Sequence, residues 1–451
     1  MSAPPRKSAA TNVDHVEPSL TLDEKPPRPL GLLDQVALWG SFGMSLLLPV
    51  AAVFVLRPFG VPAMSLAAAL TAVVLGSVLG AAALGLAAVP GAVTGAPAMV
   101  LLRGLFGRRG SAVPTALNLV QCVGWACLEV LIIGEAATRL TDPSLRPLWT
   151  ILAGVIATAM AIWPLGLVRQ LRRWAVWLVL LASAYLLVAL TRQGLPAFED
   201  GSWSGFWLAV DVVVALPVSW APLAADYARH SRSSGAAFGG AFLGYGVACM
   251  AYFTLGLLAL VTVVTGDTVL TDDVVAGLVA VPLGTLAVLV LLLGETDKAF
   301  GNIYSTAMSV QNLAPRVDRR LLAVLVGIVA VVVGLLIDVV AYENFLFLLG
   351  SVFVPLFAVV IVEFFVVRRQ AGWDISAAAR GSWVYVIPWA VGFATYQVIN
   401  PGTVSWWASW WASARTTIGF APATWMSASL LSFAVAAALT LAVSPLVHRN
   451  R

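Results

Sequence analysis

The stretch DQVALWGSFGMSLLLPVAAVFVL, residues 34–56, is apolar for most of its length but interrupts itself at WGSFGMS, residues 39–45, where Gly40 and Gly43 fall mid-segment. Glycine weakens a helix, and inside lipid any backbone groups it frees are tolerated only where protein or a water-filled cavity satisfies them. The fold turns on whether this is a broken membrane helix. Of the 451 residues, 60% are hydrophobic and 11% charged, and the mean hydropathy is +0.92. A soluble domain of ordinary composition cannot hide that much apolar surface. The implied solvent is lipid.

Crossing about 30 Å of hydrocarbon takes roughly 20 residues. Apolar segments of that order recur near 34–56, 63–89, 112–138, 148–168, 174–191, 206–224, 236–265, 281–310, 320–340, 343–367, 383–400 and 422–447, which makes twelve expected spans. Short cytoplasmic loops collect Lys and Arg. With the N-terminus inside, the inner loops hold Arg103, Arg108, Arg109, Arg169, Arg172, Arg173, Arg229, Arg232, Arg316, Arg319, Arg320, Arg368, Arg369 and Arg380. The outer loops hold Arg57, Arg139, Arg146, Arg192 and Arg415, so fourteen face five in alternating phase. A miscounted helix would scramble that pattern.

The formal net charge of +4 is then mostly a topology signal, and no nucleic-acid partner is implied. Residues 1–30, rich in proline, read as a disordered cytoplasmic tail ahead of a helical domain at 31–447. No short apolar run with a small-residue cleavage site precedes the first span, so no removable signal peptide is expected. SWWASWWASA, residues 405–414, reads as an outer-boundary anchor, since indoles prefer the headgroup region. Cys122, Cys127 and Cys249 lie inside spans without CxxC spacing, and His15, His230 and His448 lie in tails or a loop. Neither a metal site nor a disulfide framework is expected. GRRGS, residues 107–111, lacks the Gly-Lys-Ser/Thr of a phosphate loop, so an ion gradient is the expected source of power.

Polar residues inside the spans are clustered. VLLLGETDKAFGNIYSTAMSVQNLAPR, residues 290–316, places Glu295, Thr296, Asp297 and Lys298 near mid-span, where each charge costs roughly 2.5–3.5 kcal/mol on insertion scales. Gln121, Trp125 and Glu129 follow at i, i+4 and i+8 and so share one face of the third span; Asp211, Ala215 and Ser219 repeat the arrangement in the sixth. ALPVSWAP, residues 215–222, also puts Pro217 and Pro222 in that sixth span. Interrupted helices at corresponding positions of two halves point to a transporter binding site. Spans one and six correspond if the repeat has five helices, and an odd unit inserts its second copy inverted. The plainer reading of the glycine pair is close helix packing.

GAPAMVLLRGLFGRRGSAVPTALNLVQCVGW (95–125), VSWAPLAADYARH (218–230), FGNIYSTAMSVQNL (300–313) and NFLFLLGSVFVPLFAVVIVEFFVVRR (344–369) together resemble the nucleobase:cation symporter family of cytosine, purine and hydantoin permeases. The resemblance implies an all-α LeuT-type five-plus-five inverted repeat: repeat one at about 34–191, repeat two at about 206–367, and two further helices at about 383–447, with both termini cytoplasmic. It implies a monomeric multi-pass protein of the cell membrane that imports a flat nitrogenous ring with Na⁺ or H⁺ and needs no cofactor. Cytosine or a purine is the first expectation; hydroxymethylpyrimidine, hydantoin or allantoin is the alternative.

The family stacks the ring on an aromatic of the third helix, here Trp125, and reads its edges from helices three, six and eight. That implies a substrate set of Trp125, Gln121, Glu129, Ser219, Trp220, Phe42 and Asn302. Hydantoin-type relatives carry Gln one turn after the Trp, whereas this chain has Glu129. An ionised Glu129 only accepts and would prefer a ring edge with N–H donors, while a protonated one could donate and carry the proton. In sodium-coupled relatives the cation lies between the first-helix break and oxygens of the eighth helix, which implicates Gly40, Met44, Thr296, Asp297, Lys298 and Glu295. Two unit charges 4 Å apart repel by about 4 kcal/mol at an effective dielectric of 20, so Lys298 competes with Na⁺. Either Lys298 stands in for the cation, paired with Glu295 or Asp297, or it forms a structural pair beside Na⁺ at Thr296. Asp226, in the ADYxR element, is expected as a gate or loop anchor paired with Arg. A channel or a non-transporting sensor would share this fold; an enzyme would need a nucleophile or relay that the sequence lacks.

Overall fold

The computed structural model describes residues 27–58, 61–162, 167–195, 197–263, 271–313, 318–337, 341–370, 373–376 and 378–449. In chain order the α-helices are α1 (Leu32–Gly43), α2 (Leu47–Leu56), α3 (Leu66–Thr94), α4 (Ala98–Leu101), α5 (Arg103–Gly110), α6 (Ala112–Leu140), α7 (Arg146–Ile162), α8 (Leu167–Thr191) and α9 (Phe206–Ser219). There follow α10 (Ala221–Ala228), α11 (Ser234–Val263), α12 (Thr271–Ala280), α13 (Gly284–Leu313), α14 (Arg319–Leu336), α15 (Ala341–Ile361), α16 (Val386–Ile399), α17 (Ser405–Ile418) and α18 (Ala428–Arg449). Among the described residues there is no β-strand, only the isolated bridges Leu30↔Ser231 and Met64↔Ser202.

Among the described residues, seven spans are long and apolar enough to cross a bilayer: Leu66–Thr94, Ala112–Leu140, Pro143–Ile162, Phe206–Ala228, Ser234–Thr262, Tyr342–Val367 and Ala428–Val447. The pair α1 and α2 makes an eighth, bent by 64° at its break. Val176–Thr191, Arg320–Leu336 and Trp383–Ile399 are shorter apolar helices, and α13 is a 30-residue helix that carries the charged cluster. The molecule is a multi-pass membrane protein. Outward faces of α7 and α14 expose Leu148, Leu152, Val155, Leu325, Ile328 and Val332, as hydrocarbon contact requires.

Small residues set which helices approach. Lipid tails are as apolar as leucine, so helices associate through close van der Waals packing, which glycine permits. A methyl placed at Gly76 or Gly80 of α3 would meet Val213 or Pro217 of α9 at 2.6 and 2.7 Å, and one at Gly91 would meet Ala225 of α10 at 2.6 Å. Gly154 of α7 and Gly327 of α14 meet Val331 and Thr158 in the same way. Two groups result, α1, α3, α9, α10 and α11 in one and α6, α7, α13 and α14 in the other, packed closely within themselves and sparsely on each other among the described residues. The site lies between them.

Three features depart from the sequence expectation. A short helix, α12, fills the connection before α13. The indole-rich segment is itself a helix, α17, tied to α16 where Trp407 Nε1 donates to Gln397 Oε1 (2.8 Å) and Arg415 Nη2 to Ile399 O (2.9 Å). Residues 27–30, placed in the tail from composition, run against the α10–α11 turn, with Leu30 N donating to His230 O (3.1 Å) and Arg232 N to Leu30 O (2.8 Å). The rest of the expected tail, residues 1–26, lies outside the described residues.

Candidate functional site

The interruption in the first span opens after the glycine pair. Gly40 and Gly43 face α11: a methyl at Gly43 would lie 2.6 Å from Ala248 Cβ, and one at Gly244 only 2.5 Å from Val36 O. Gly43 therefore serves close packing, Gly40 makes ordinary contact with Gly244, and the chain leaves the helix at Met44 (φ −82°, ψ 69°), resuming at Leu47. Restarting a helix in lipid exposes its first N–H groups. Glu295 of α13 answers this, its Oε1 accepting from Leu46 N (2.7 Å) and its Oε2 from Ser45 Oγ (3.0 Å). Ser45 Oγ in turn accepts from Leu47 N (3.1 Å), and Pro49, third in α2, has no N–H to satisfy. A carboxylate is thus held at the positive end of a helix from another element.

Lys298 lies one turn along α13 and is buried with Glu295; Nζ is 3.3 Å from Glu295 Oε1 and donates to Gly294 O (2.9 Å). Thr296 Oγ donates to Leu293 O of its own helix (2.8 Å). The Asp297 side chain lies outside the described residues. Asn302, one further turn along, donates through Nδ2 to both oxygens of buried Glu129 (3.2 and 3.1 Å). One face of α13 therefore carries Glu295, Lys298 and Asn302 toward the break and α6.

The sixth span is interrupted more gently than its prolines imply. Trp220, between α9 and α10, keeps a right-handed conformation (φ −85°, ψ −13°), and the two helices run on as the single span Phe206–Ala228. The break is a gap in hydrogen bonding, not an unwound segment. Leu223 N donates to Trp220 O (2.9 Å), three residues back, so Ser219 O lacks its usual partner. Gln121 Nε2 of α6 fills that place (2.8 Å) and also donates to Asn118 Oδ1 (3.1 Å), while Gln121 Oε1 and Asn118 Nδ2 are buried with no hydrogen-bond partner among the described residues. Ser219 Oγ donates back to Leu216 O (2.6 Å).

Aromatic rings line the space between. Phe42 and Trp220 stack at 4.6 Å with 12° between planes, and Tyr245 of α11 lies 6.3 Å from Trp220. Trp125 is held edge-on by Phe345 (5.3 Å) and Tyr342 (6.0 Å) of α15. Phe42, Ser45, Trp125, Glu129, Trp220, Tyr245 and Lys298 border one cavity, of which about 10 Å³ is open to the centre of a water-sized sphere. That is room for about one water molecule. A planar ring enters only if Phe42 and Trp220 part or the two helix groups separate.

Two acids lie elsewhere. Asp211, expected on the same face as Ser219, turns to α18, accepting from Ser427 Oγ (2.5 Å), Ala428 N (2.8 Å) and Ser429 N (3.0 Å). Asp226 Oδ1 accepts from Ala98 N (2.8 Å) and so anchors the turn at α4. Burial holds the nearby Arg229 guanidinium below its ordinary value, and the Asp226 carboxylate opposes that shift. Sequence reasoning passed over Ser45, Tyr245, Asn118 and the Tyr342–Phe345 support. Ser45 alone carried a signal, as the hydroxyl that closes the glycine-rich break.

Several comparisons bear on this arrangement. A family model described as "Permease for cytosine/purines, uracil, thiamine, allantoin" matches residues 28–376. A hydantoin permease of Microbacterium maritypicum is 26% identical over 294 residues, covering 59% of each chain. The purine-cytosine permease FCY21 of Saccharomyces cerevisiae is 25% identical over 319 residues, 66% of this chain and 59% of its own. This chain's alignments thus span less than two thirds of the length of these two relatives. Among solved structures, Mhp1, a nucleobase-cation-symport-1 family transporter in a closed conformation with bromovinylhydantoin bound, superposes with a TM-score of 0.73 at 18% identity, over 96% of this chain and 97% of its own. Its inward-facing conformation gives 0.75 at 16% identity, over 97% and 96%. The fold is that of Mhp1, and the relatives are transporters, not enzymes. With a family model covering most of its length, the chain belongs to the family of permeases for cytosine and purines, uracil, thiamine and allantoin.

Proposed function

We propose that this protein imports a planar nitrogen heterocycle, cytosine or a purine first and a hydantoin-like or hydroxymethylpyrimidine ring as the alternative, across the cell membrane by symport with a proton. In this reading it is a monomer of twelve spans with cytoplasmic termini, built as a five-plus-five inverted repeat with two added helices, and it works by alternating access. Trp125 offers the ring a stacking face, Phe42 and Trp220 close over the other side, and Glu129 and Asn302 read an edge. Gln121, through its unpartnered Oε1, and the Ser219 region read the other edge. The carrying observation is the cavity bordered by Phe42, Trp125, Glu129, Trp220 and Lys298 at the α1–α2 break. Glu129 accepts from Asn302 Nδ2 at both oxygens, and the several lone pairs of a carboxylate let it also accept from N–H groups of a ring.

For coupling, Lys298 stands where a cation would neutralise the region between the break and α13. Its ammonium already pairs with the acid that caps α2, and Thr296, the hydroxyl that would serve Na⁺, bonds within its own helix. In this reading the Lys298–Glu295 pair, tied through Glu295 to Leu46 and Ser45, links the coupling charge to the α1–α2 break.

A thermal-shift screen of nucleobases and hydantoins on the purified protein, followed by counterflow in liposomes, tests this. One ring class should stabilise the protein and exchange saturably, and Trp125→Ala should weaken binding about 5- to 150-fold, the range for loss of a base–aromatic stack. Uptake should run in choline buffer on a pH gradient alone. Absolute dependence on Na⁺ would overturn proton coupling. Absence of counterflow with every ring would point to a sensor or channel.

A further inference from the structure

A second cavity, about 350 Å³, lies away from the transport site between α5 and the chain leading into α16, bordered by Phe106, Arg108, Arg109, Ala378, Gly381 and Trp383. It is a built feature. Gly107 adopts φ +71°, and a methyl at Gly381 would sit 1.8 Å from Gly107 N, so the two backbones touch and only glycine fits. Ser382 N donates to Leu105 O (2.9 Å) and Arg108 N to Ala379 O (3.3 Å). The segment is anchored at its other end, where Trp373 Nε1 donates to Glu363 Oε2 and Arg368 Nε pairs with Glu363 Oε1 (3.1 Å).

The cavity is electropositive. The Arg108 and Arg109 side chains are exposed and make no ion pair among the described residues. Burial and then the charge of Arg108 hold the neighbouring Arg103 guanidinium below its ordinary value. Glu363 is engaged by Arg368 and Trp373, and Asp374 in the same segment accepts from Ser376 N (3.0 Å); neither borders the cavity. The surroundings are apolar. Trp383 at the rim is 63% exposed, and the helices leaving the pocket show exposed Val113 and Val120 on α6 and Ile387 and Val391 on α16, at helical spacing. A phosphate held by arginines, an indole at the headgroup level and a hydrocarbon track leading into the bilayer together suit a lipid.

We propose that this pocket binds the headgroup of an anionic phospholipid, its phosphodiester between Arg108 and Arg109 and its acyl chains along α6 or α16. This would tie the α5 segment, which leads into the Trp125-bearing α6, to the segment before α16. The test is native mass spectrometry of the delipidated full-length protein with phosphatidylglycerol and phosphatidylcholine of identical acyl chains, with inorganic phosphate and the deacylated glycerophosphodiester as soluble probes. One phosphatidylglycerol should bind in preference, more weakly as salt rises, and the soluble probes should not displace it at equal concentration. Arg108→Gln and Arg109→Gln should each reduce the preference roughly fivefold. Ala378→Asp, which adds a carboxylate to the rim without removing a contact, should do the same even if an arginine variant fails to fold. Equal binding of both lipids, displacement by free phosphate, or an undiminished preference in folded Ala378→Asp protein would overturn the proposal.

Discussion

Glu295 illustrates why a charge persists in an otherwise apolar helix: it supplies the acceptors that a restarted helix needs inside the protein. Both of its oxygens are used, by Leu46 N and Ser45 Oγ, and Lys298 neutralises it from one turn away. Removing one partner of a buried pair leaves the other uncompensated, which costs about 3–5 kcal/mol. Glu295→Gln and Lys298→Met should therefore each lower the thermal stability of the purified protein sharply, and the double variant should lose clearly less than the sum of the two. Additive losses would show that the two side chains act independently. The sequence marked Lys298 as paired with Glu295 or Asp297 without choosing between them; positions three apart share a helix face, and the structure pairs Lys298 with Glu295. What spacing could not show is that the acid's main contacts are backbone donors some 250 residues away in sequence.

At the scale of elements, runs of hydrophobicity are local and were readable, which is why the observed apolar helices fall close to the segments marked from composition. Interruptions were harder. Glycine at residues 40 and 43 predicts weakness, yet Gly43 serves close contact with α11 and the bend falls at 44–46; Pro217 and Pro222 predict unwinding, yet Trp220 between them keeps helical angles and the opened Ser219 carbonyl is met by Gln121. Asp211 is the clearest case. Eight residues at 3.6 per turn leave Asp211 and Ser219 about 80° apart even in the continuous helix α9, enough to meet different neighbours, and the partners of Asp211 at the start of α18 are more than 200 residues on. It caps a helix in trans, with three donors on one carboxylate. Hydrogen bonds to charged groups contribute about 1.5–3 kcal/mol each, with losses partly shared among neighbours, so Asp211→Ala should destabilise the protein by about 2–4 kcal/mol. Hydrogen exchange should rise first at residues 427–432, and Asp211→Asn, which still accepts, should lose less. Substrate affinity should not change. If it falls with no change in exchange at α18, Asp211 belongs to the binding site after all.

At the scale of the molecule, the two helix groups pack closely within themselves and sparsely on each other among the described residues, while α8 and α12 touch both. Two polar links between the groups stand at the cavity: Glu295 to Ser45 and Leu46, and Gln121 to Ser219 O. Because they bond backbone groups at the two interruptions, they hold the groups together there. Gln121 is the cleaner one to test, being uncharged and unneeded by its own helix. A neutral hydrogen bond contributes about 0.5–1.5 kcal/mol, so Gln121→Leu should raise the open population about two- to tenfold, toward the upper end because Ser219 O is left buried and unpaired. With Cys122, Cys127 and Cys249 replaced by alanine and Leu216, on the cavity wall, replaced by cysteine, the alkylation rate reports that population. The rate should rise with Gln121→Leu and fall when a bound heterocycle closes the site. An unchanged rate, with the protein folded, would mean that aromatic packing of Phe42 on Trp220 keeps the cavity shut and that the polar links follow the movement instead of holding it.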